Sequence, residues 1–216
     1  MEKVILGPGI IAYKNALPEA SLAISALETS LGDGSNGQIK WNTAKVGEFE
    51  TNLDHRNASD FIISQERVDS LSDSEEVFTS LHKDVRSSLE KCLDDYMSTY
   101  KVRIDWIGAF NFVKYGPGGK FNHHSDDSGF YRCTVSVVGY FNDDYEGGAL
   151  DFEFFGLKVK PDAGDLIIFP SSYIYSHASL PIDSGTKYAI VIMTDLNKLS
   201  HYENSSIYNS PNSKTS

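Results

Sequence analysis

The spacing of apolar residues changes once along this chain, near Lys101, and that change constrains the fold more than any other feature of the sequence. In residues 18–31, and again from Val77 to about Lys101, apolar side chains recur every three or four positions. This period is typical of amphipathic helices. The sequence therefore predicts two helices in the first half, and the first should end at Gly32-Asp33-Gly34.

The second predicted helix has the clearer start signal. Ser72 and Glu75 stand three residues apart before the apolar stripe, which is the pattern of a capping box. The stripe itself should face the core. We interpret His82 and Lys83 as residues of the polar face, and we expect both to contact solvent.

After Lys101 apolar and polar residues alternate in short runs separated by Gly, Pro and Asp, a pattern typical of strands. About seven strands are predicted, at residues 104–112, 131–142, 149–155, 157–160, 165–169, 173–177 and 186–194. Helices followed by many strands predict an α+β fold. We expect a double-stranded β-helix, or jelly-roll, core that is buttressed by the N-terminal helices.

The length of 216 residues suits a single domain with a sizeable core. We divide it into N-terminal strands and supporting helices (residues 1–102), the barrel core (103–197) and a polar tail (198–216) that is expected to be flexible. Apolar residues make up 40% of the chain, which excludes an intrinsically disordered protein.

Several features predict a cytoplasmic protein without a membrane partner. No apolar run is long enough to span a bilayer, and the first eight residues lack the pattern of a secretory signal. Cys92 and Cys133 lie in apolar surroundings without metal-type spacing, so we expect two reduced, buried thiols. A single disulfide between them is the alternative.

The charge of the chain argues against a nucleic-acid partner. The formal net charge is -11. Residues 121–170 alone contain nine acidic residues against three basic ones. An acidic surface repels phosphate backbones.

A small group of residues has the chemistry of a metal site. In an extended segment residues i and i+2 project to the same side, so His124 and Asp126 should converge, whereas His123 pairs with Ser125. With His177 from a later strand they would form two imidazoles and one carboxylate on one face of an octahedron, a set that suits non-haem Fe(II). The alternative is a polar loop, because H-x-D alone recurs by chance.

Lys187 strengthens the case for a ligand site. In its predicted strand it shares a side with Ala189, Val191 and Met193, so a cation would point into the barrel. A buried ammonium needs an anion, which a ligand carboxylate could supply; the alternative is an edge lysine that reaches out to solvent. Ser136 and Tyr140 belong to a second inward face that is polar enough to indicate a polar ligand.

At this point a resemblance to a known family becomes clear, over residues 106–196. The run from Tyr115 to Asp126 resembles the Y-x-x-G-x-x-(Y/F)-x-x-H-x-D signature of prolyl 4-hydroxylase-like 2-oxoglutarate/Fe(II) dioxygenases. The family order continues with Gly147-Gly148, Gly164-Asp165, His177 and Gly185-Thr186-Lys187.

The resemblance implies a double-stranded β-helix in which His124, Asp126 and His177 hold Fe(II) and Lys187 binds the distal carboxylate of 2-oxoglutarate. It also implies pocket positions at four further residues: Tyr115, Ser136, Tyr140 and Leu150. The implied reaction hydroxylates a C–H bond, by preference of a prolyl residue in a peptide or protein, and releases succinate and CO2. Ascorbate is a candidate reductant, and the stretch Arg56-Asn57-Ala58-Ser59 is similar to an R-x-S motif of the family.

One departure leaves the substrate open. The family often has an arginine three residues before the position of Ser136, where this chain has Cys133, with Arg132 one residue away. Hydroxylation of a free amino acid or another small molecule is therefore an alternative, with Arg132 or Lys114 as the cation for the substrate carboxylate. A non-catalytic metal-binding jelly-roll module is a third hypothesis, from a different functional class.

Overall fold

The computed structural model describes residues 2–31, 39–46, 50–71, 75–128 and 132–201. Three α-helices lie in the first half: α1 (Ala20–Leu31), α2 (Gln65–Val68) and α3 (Glu76–Tyr100). Two short 3-10 helices, Glu153–Phe155 and Tyr173–Tyr175, interrupt the strands of the second half. In the described part of the chain no helix combines the length and the apolar character that crossing a membrane requires.

The strands, in chain order, are β1 (Lys3–Gly7), β2 (Ile10–Tyr13), β3 (Asn42–Thr43), β4 (Arg56–Asn57), β5 (Ser59–Ile63), β6 (Trp106–Tyr115), β7 (Lys120–His124), β8 (Val135–Tyr140), β9 (Glu146–Gly147), β10 (Leu150–Phe152), β11 (Leu157–Val159), β12 (Leu166–Pro170), β13 (His177–Ser179), β14 (Ile182–Ser184) and β15 (Lys187–Asp195). Eight of them form a sheet in the order β1-β2-β12-β8-β15-β6-β5-β3. A second sheet has the order β11-β10-β13-β7-β4, and β14 pairs with β9. The pairings described between these strands are antiparallel, as in a jelly roll.

Alternate side chains of β15 face two different environments, a hydrophobic cluster and a cavity. Tyr188, Ile190 and Ile192 belong to the largest hydrophobic cluster, which also contains buried residues of α1 and α3. The alternate residues, from Lys187 to Met193, line a cavity on the opposite face of the sheet. A second cluster, which includes Val138, Leu150 and Phe152, joins the two sheets beside that cavity. The cavity is therefore walled by both sheets.

Several sequence expectations can be compared with these elements. The two long helices and the predicted α+β class are confirmed. The strand predicted at 173–177 is wrong: a 3-10 helix occupies Tyr173–Tyr175 and the strand starts at His177. The Ser72 capping residue, the Gly32–Gly34 stop and most of the polar tail lie outside the described residues. The strand predicted at 131–142 is observed over Val135–Tyr140.

The expectation for His82 is also wrong. Its side chain is only 1% exposed and stacks on Phe110, with 4.4 Å between ring centroids. The reason lies in the helical period, because His82 follows Phe78 by four residues and precedes Val85 by three, which places it within the apolar stripe. Lys83 is exposed as expected. No disulfide joins Cys92 and Cys133, and both thiols are buried.

Candidate metal centre

Two adjacent strands of the five-stranded sheet bring three candidate ligands together. β7 ends at His124, Asp126 follows two residues later, and β13 starts at His177. His177 lies opposite His124 in the antiparallel register of these strands. The shift of register next to this pair brings Phe121 opposite Ser179, so that Phe121 also faces the cavity and stacks on His124.

The donor atoms of these three residues have the spacing of a metal site. The Nε2 atom of His124 lies 3.5 Å from Asp126 Oδ1, and the Nε2 atom of His177 lies 3.7 Å from Asp126 Oδ2. One donor atom from each residue can be chosen so that all lie within 4.8 Å of one another. Two imidazoles and one carboxylate that leave other positions open are the donor set of non-haem Fe(II).

Backbone contacts orient both imidazoles for metal binding. His124 Nδ1 lies 2.8 Å from the carbonyl oxygen of Asn122, and His177 Nδ1 lies 3.1 Å from that of Tyr175. A carbonyl oxygen only accepts hydrogen bonds, so each Nδ1 carries the proton and each Nε2 keeps its lone pair. The residues present thus fit a bound metal.

The electrostatic environment favours the same protonation states. Burial lowers the pKa of His177 to about 4, although Asp126 acts in the opposite direction. Burial alone would raise the pKa of the Asp126 carboxyl, but His177, His124 and a hydrogen bond from Ser136 hold it well below its usual range. At neutral pH His177 is therefore neutral and Asp126 is ionised, as metal ligation requires.

His123 lies outside this arrangement. Its Nε2 atom is 3.2 Å from Asp151 Oδ2 of β10, and it does not line the cavity. Of the two neighbouring histidines of β7, His124 therefore lines the cavity and His123 does not, as the i, i+2 rule predicts.

The cavity extends from the three candidate ligands into the space between the sheets. Its walls are formed by Arg56, Asn111, Tyr115, Phe121, His124, Asp126, Val138, Tyr140, Leu150, His177, Ser179, Lys187, Ala189, Val191 and Met193. Of the four pocket positions implied by the resemblance, Tyr115, Tyr140 and Leu150 line it. Ser136 does not line it; its hydroxyl lies behind Asp126 and donates a hydrogen bond to Oδ2 at 2.6 Å.

Lys187 is a buried cation in the cavity wall. It is 2% exposed, and its Nζ atom donates to the carbonyl oxygen of Gly148 at 3.0 Å and to the Ser179 hydroxyl. The ammonium also lies 4.5 Å from the centroid of the Tyr115 ring. No carboxylate of the described residues forms an ion pair with it, and burial lowers its pKa to about 7. A ligand carboxylate would therefore supply the missing counter-charge.

The backbone at Gly148 requires glycine. Its φ of +66° lies in the left-handed region, and an added Cβ would approach Ile182 Cδ1 to 2.3 Å. The carbonyl oxygen of this glycine accepts the hydrogen bond from Lys187 Nζ.

Sequence reasoning missed three polar residues of the cavity wall: Arg56, Asn111 and Ser179. Arg56 arrives through the pairing of β4 with β7, and its Nη2 lies 3.3 Å from Asp60 Oδ2. The weak R-x-S resemblance was the only sequence signal for Arg56, and none pointed to Asn111.

Neither cation proposed for a free substrate carboxylate lines the cavity. Arg132 is exposed. Lys114 forms an ion pair with Glu28 at 2.9 Å.

Comparison with known proteins places this site in context. Residues 110–194 match the sequence profile of the 2OG-Fe(II) oxygenase superfamily. No curated protein matches the chain significantly.

Solved structures of similar fold include three prolyl hydroxylases. A viral collagen prolyl hydroxylase of Paramecium Bursaria Chlorella virus-1, in complex with 2OG, is 18% identical with a TM-score of 0.58, over 87% of this chain and 96% of that one. A prolyl hydroxylase of Trichoplax adhaerens is 18% identical with a TM-score of 0.64, over 94% and 88%. A Pseudomonas putida prolyl-4-hydroxylase is 19% identical with a TM-score of 0.60, over 88% and 93%.

The profile match and the shared fold confirm the resemblance drawn from the sequence motifs. The profile match over residues 110–194, together with the His124, Asp126 and His177 donor set, supports an enzyme of the 2-oxoglutarate- and Fe(II)-dependent oxygenase class.

Proposed function

We propose that this 2-oxoglutarate/Fe(II) oxygenase hydroxylates a prolyl residue within a peptide or protein. One observation carries the proposal: a single cavity contains both the His124, Asp126 and His177 donor set and the buried ammonium of Lys187. A metal with open positions and an anion site beside it are the two requirements of a chelating, dicarboxylate co-substrate.

Each residue then has a defined task. His124, Asp126 and His177 would hold Fe(II), which together with 2-oxoglutarate and oxygen supplies the oxidant for C–H hydroxylation, with release of succinate and CO2. Lys187 would bind the distal carboxylate, and the Ser179 hydroxyl accepts a hydrogen bond from the Lys187 ammonium. Burial raises the pKa of Tyr115 and Tyr140, so both phenols stay protonated and can donate to the co-substrate. Leu150 and Val138 exclude water from the cavity.

The balance of charges in the cavity supports a peptide over a free amino acid. Its described walls contain two cations, Lys187 and Arg56. Lys187 is used by 2-oxoglutarate, and Asp60 neutralises Arg56. A free amino acid would bring a carboxylate for which no uncompensated cation is left, whereas a prolyl residue within a chain brings neutral amides. The similar Trichoplax enzyme was solved with a peptide fragment of hypoxia inducible factor.

A non-catalytic binding module is the weaker reading. A metal used only for structure would not need a buried lysine beside it, and Lys187 has no carboxylate counter-ion among the described residues. Lys187 is costly to bury and has no purpose in such a module.

We further infer that α1 and α3 buttress the barrel core of residues 103–197. In support, Leu27 of α1 and Phe78 and Val85 of α3 lie in one hydrophobic cluster with Phe110 and Ile190 of the larger sheet. This packing would keep β6 and β15 rigid behind Lys187.

Succinate release from a panel of substrates tests the proposed function. The iron-loaded protein is incubated with proline-containing peptides, with the same peptides carrying alanine for proline, and with free amino acids. Ascorbate is added as reductant in parallel samples. We expect succinate and a mass gain of one oxygen for the proline peptides alone, and none with His177→Ala. Turnover of free amino acids with no turnover of any peptide would contradict the peptidyl substrate.

A further inference from the structure

A row of small buried side chains continues from the candidate metal ligand Asp126 into the interior. Asp126 Oδ2 lies 2.6 Å from Ser136 Oγ, which lies 2.7 Å from Ser171 Oγ. Ser171 Oγ in turn lies 3.0 Å from Cys133 Sγ. All of these residues are at most 6% exposed, so solvent cannot substitute for any link.

The positions of the hydrogens in this row follow from counting donors. An ionised carboxylate only accepts, so the Ser136 hydroxyl donates its single hydrogen to Asp126. The short contact between the two serines must then use the hydrogen of Ser171. Ser171 then has no hydrogen left for the sulfur, so it accepts the thiol hydrogen of Cys133 at 3.0 Å, a shorter contact than the 3.5 Å from the sulfur to the Val135 carbonyl oxygen. Every hydrogen therefore points toward Asp126.

Burial supports the protonated thiol on which this order depends. It raises the pKa of Cys133 to about 11, with Asp126 acting in the same direction. The thiol thus stays a donor throughout the neutral range.

Backbone hydrogen bonds fix the same residues to the turn that contains Asp126. The Asp127 N–H donates to the Ser171 carbonyl oxygen at 3.2 Å, and the Cys133 N–H donates to Asp127 Oδ1 at 3.2 Å. The Ser171 N–H donates to the carbonyl oxygen of Thr134 at 3.0 Å. The side-chain row and the turn are therefore held as one unit.

We propose that Cys133, Ser171 and Ser136 form a directed hydrogen-bond chain that positions the Asp126 carboxylate for the metal. These are positioning residues, since none but Asp126 would touch the metal. The inference rests on the proposed function, because it assumes a metal at His124, Asp126 and His177. It also gives Cys133, which stands where related enzymes often have an arginine, a role in the metal site that does not involve the substrate.

Metal affinity of matched cysteine variants tests the chain. Co(II) is titrated into the full-length protein without oxygen, and its visible absorption reports both affinity and ligand geometry. Cys133→Ala removes the first donor, and we expect the affinity to fall by about threefold to tenfold with an altered Co(II) spectrum. Cys133→Ser keeps a donor and should restore both to near the wild-type values.

Cys92→Ala is the matched control. Cys92 is likewise a buried thiol, but it lies in α3 within the main hydrophobic cluster. Its removal should lower the melting temperature and leave the Co(II) affinity and spectrum unchanged. Equal affinities for Cys133→Ala, Cys92→Ala and wild type would overturn the proposed chain.

Two further variants keep the test decisive if Cys133→Ala fails to fold. Ser171→Ala interrupts the middle of the chain and should also weaken Co(II) binding, and Ser136→Ala should weaken it most, by about ten- to a hundredfold. Wild-type affinity in both would overturn the inference while leaving the proposed function intact. A wild-type protein that binds neither Co(II) nor Fe(II) would contradict the proposed function itself.

Discussion

At the scale of single residues, two neighbouring histidines of β7 have different surroundings. His124 faces Asp126 and His177, whereas His123 contacts Asp151 of β10. The imidazole that can bind a metal is thus selected by the register of β7 against β13, and its tautomer by the Asn122 carbonyl.

Replacing each of these histidines with alanine gives the first prediction. We expect His124→Ala to abolish Fe(II) binding and turnover, because it removes one of three ligands. His123→Ala should bind Fe(II) nearly as well as wild type, since His123 lies outside the ligand set. Isothermal titration with Fe(II) under anaerobic conditions measures both. Loss of binding in His123→Ala alone would mean that the wrong histidine has been chosen.

Lys187 gives the second prediction. A charged hydrogen bond to a carboxylate contributes about 1.5 to 3 kcal/mol, so Lys187→Ala should weaken 2-oxoglutarate binding by roughly ten- to a hundredfold. Metal affinity should persist, because Lys187 contacts none of the ligands. An unchanged constant for 2-oxoglutarate would exclude Lys187 from its site.

The affinity for 2-oxoglutarate should also depend on pH. Burial lowers the pKa of Lys187 to about 7, so above this pH the empty protein loses the ammonium that a carboxylate needs. Binding must then take up a proton, and the affinity should fall by up to about tenfold for each pH unit above 7. Lys187→Arg stays charged and should remove this dependence. A wild-type affinity that is constant from pH 7 to pH 9 would contradict this reasoning.

At the scale of elements, the sequence predicted features that depend on adjacent residues better than contacts that depend on strand pairing. The i, i+2 rule and the alternation of β15 suffice to group His124 with Asp126 and to direct Lys187 inward, since both depend on a few adjacent residues. Arg56 and Ser171 were missed as neighbours of the site. They reach it through strand pairings and turns that join distant segments, and no periodicity encodes such contacts.

The sequence also failed to predict one polar strand and one short helix. β7, with the sequence KFNHH, contains too few apolar residues to produce an alternating signal. The 3-10 helix Tyr173–Tyr175 is rich in aromatic and β-branched residues that favour strands. Local propensity was overridden there by the turn that leads into His177.

The contact between α3 and β6 gives a prediction about stability. Burial lowers the pKa of His82 to about 4, and Arg86 adds to the effect. The unfolded chain, with an ordinary histidine pKa, therefore binds more protons than the folded protein between about pH 6.5 and pH 4. The free energy of unfolding should fall across this range by up to about 3 kcal/mol from His82 alone.

Urea unfolding of wild type and His82→Leu at pH 7 and pH 4.5 measures this effect. Leucine cannot titrate, so the variant should lose less stability on acidification than wild type. Parallel losses in the two proteins would show that His82 does not carry the acid sensitivity.

At the scale of the whole molecule, the net charge of -11 bears on the choice of peptide. Complementary charge raises the rate of encounter and is screened by salt. We expect lysine-flanked proline peptides to exceed acid-flanked ones in kcat/KM by about tenfold at low ionic strength. The ratio should approach one at high salt. A preference for acid-flanked peptides at low salt would contradict this expectation.

The central claim is that one cavity couples the breakdown of 2-oxoglutarate to hydroxylation of a prolyl residue. The most direct test is the molar ratio of succinate to hydroxyproline formed from one proline-containing peptide, measured by mass spectrometry for wild type and Asp126→Ala. We expect a ratio close to one in wild type and neither product in Asp126→Ala, which lacks the carboxylate ligand. Succinate without any hydroxylated proline, across peptides of varied sequence, would contradict the claim.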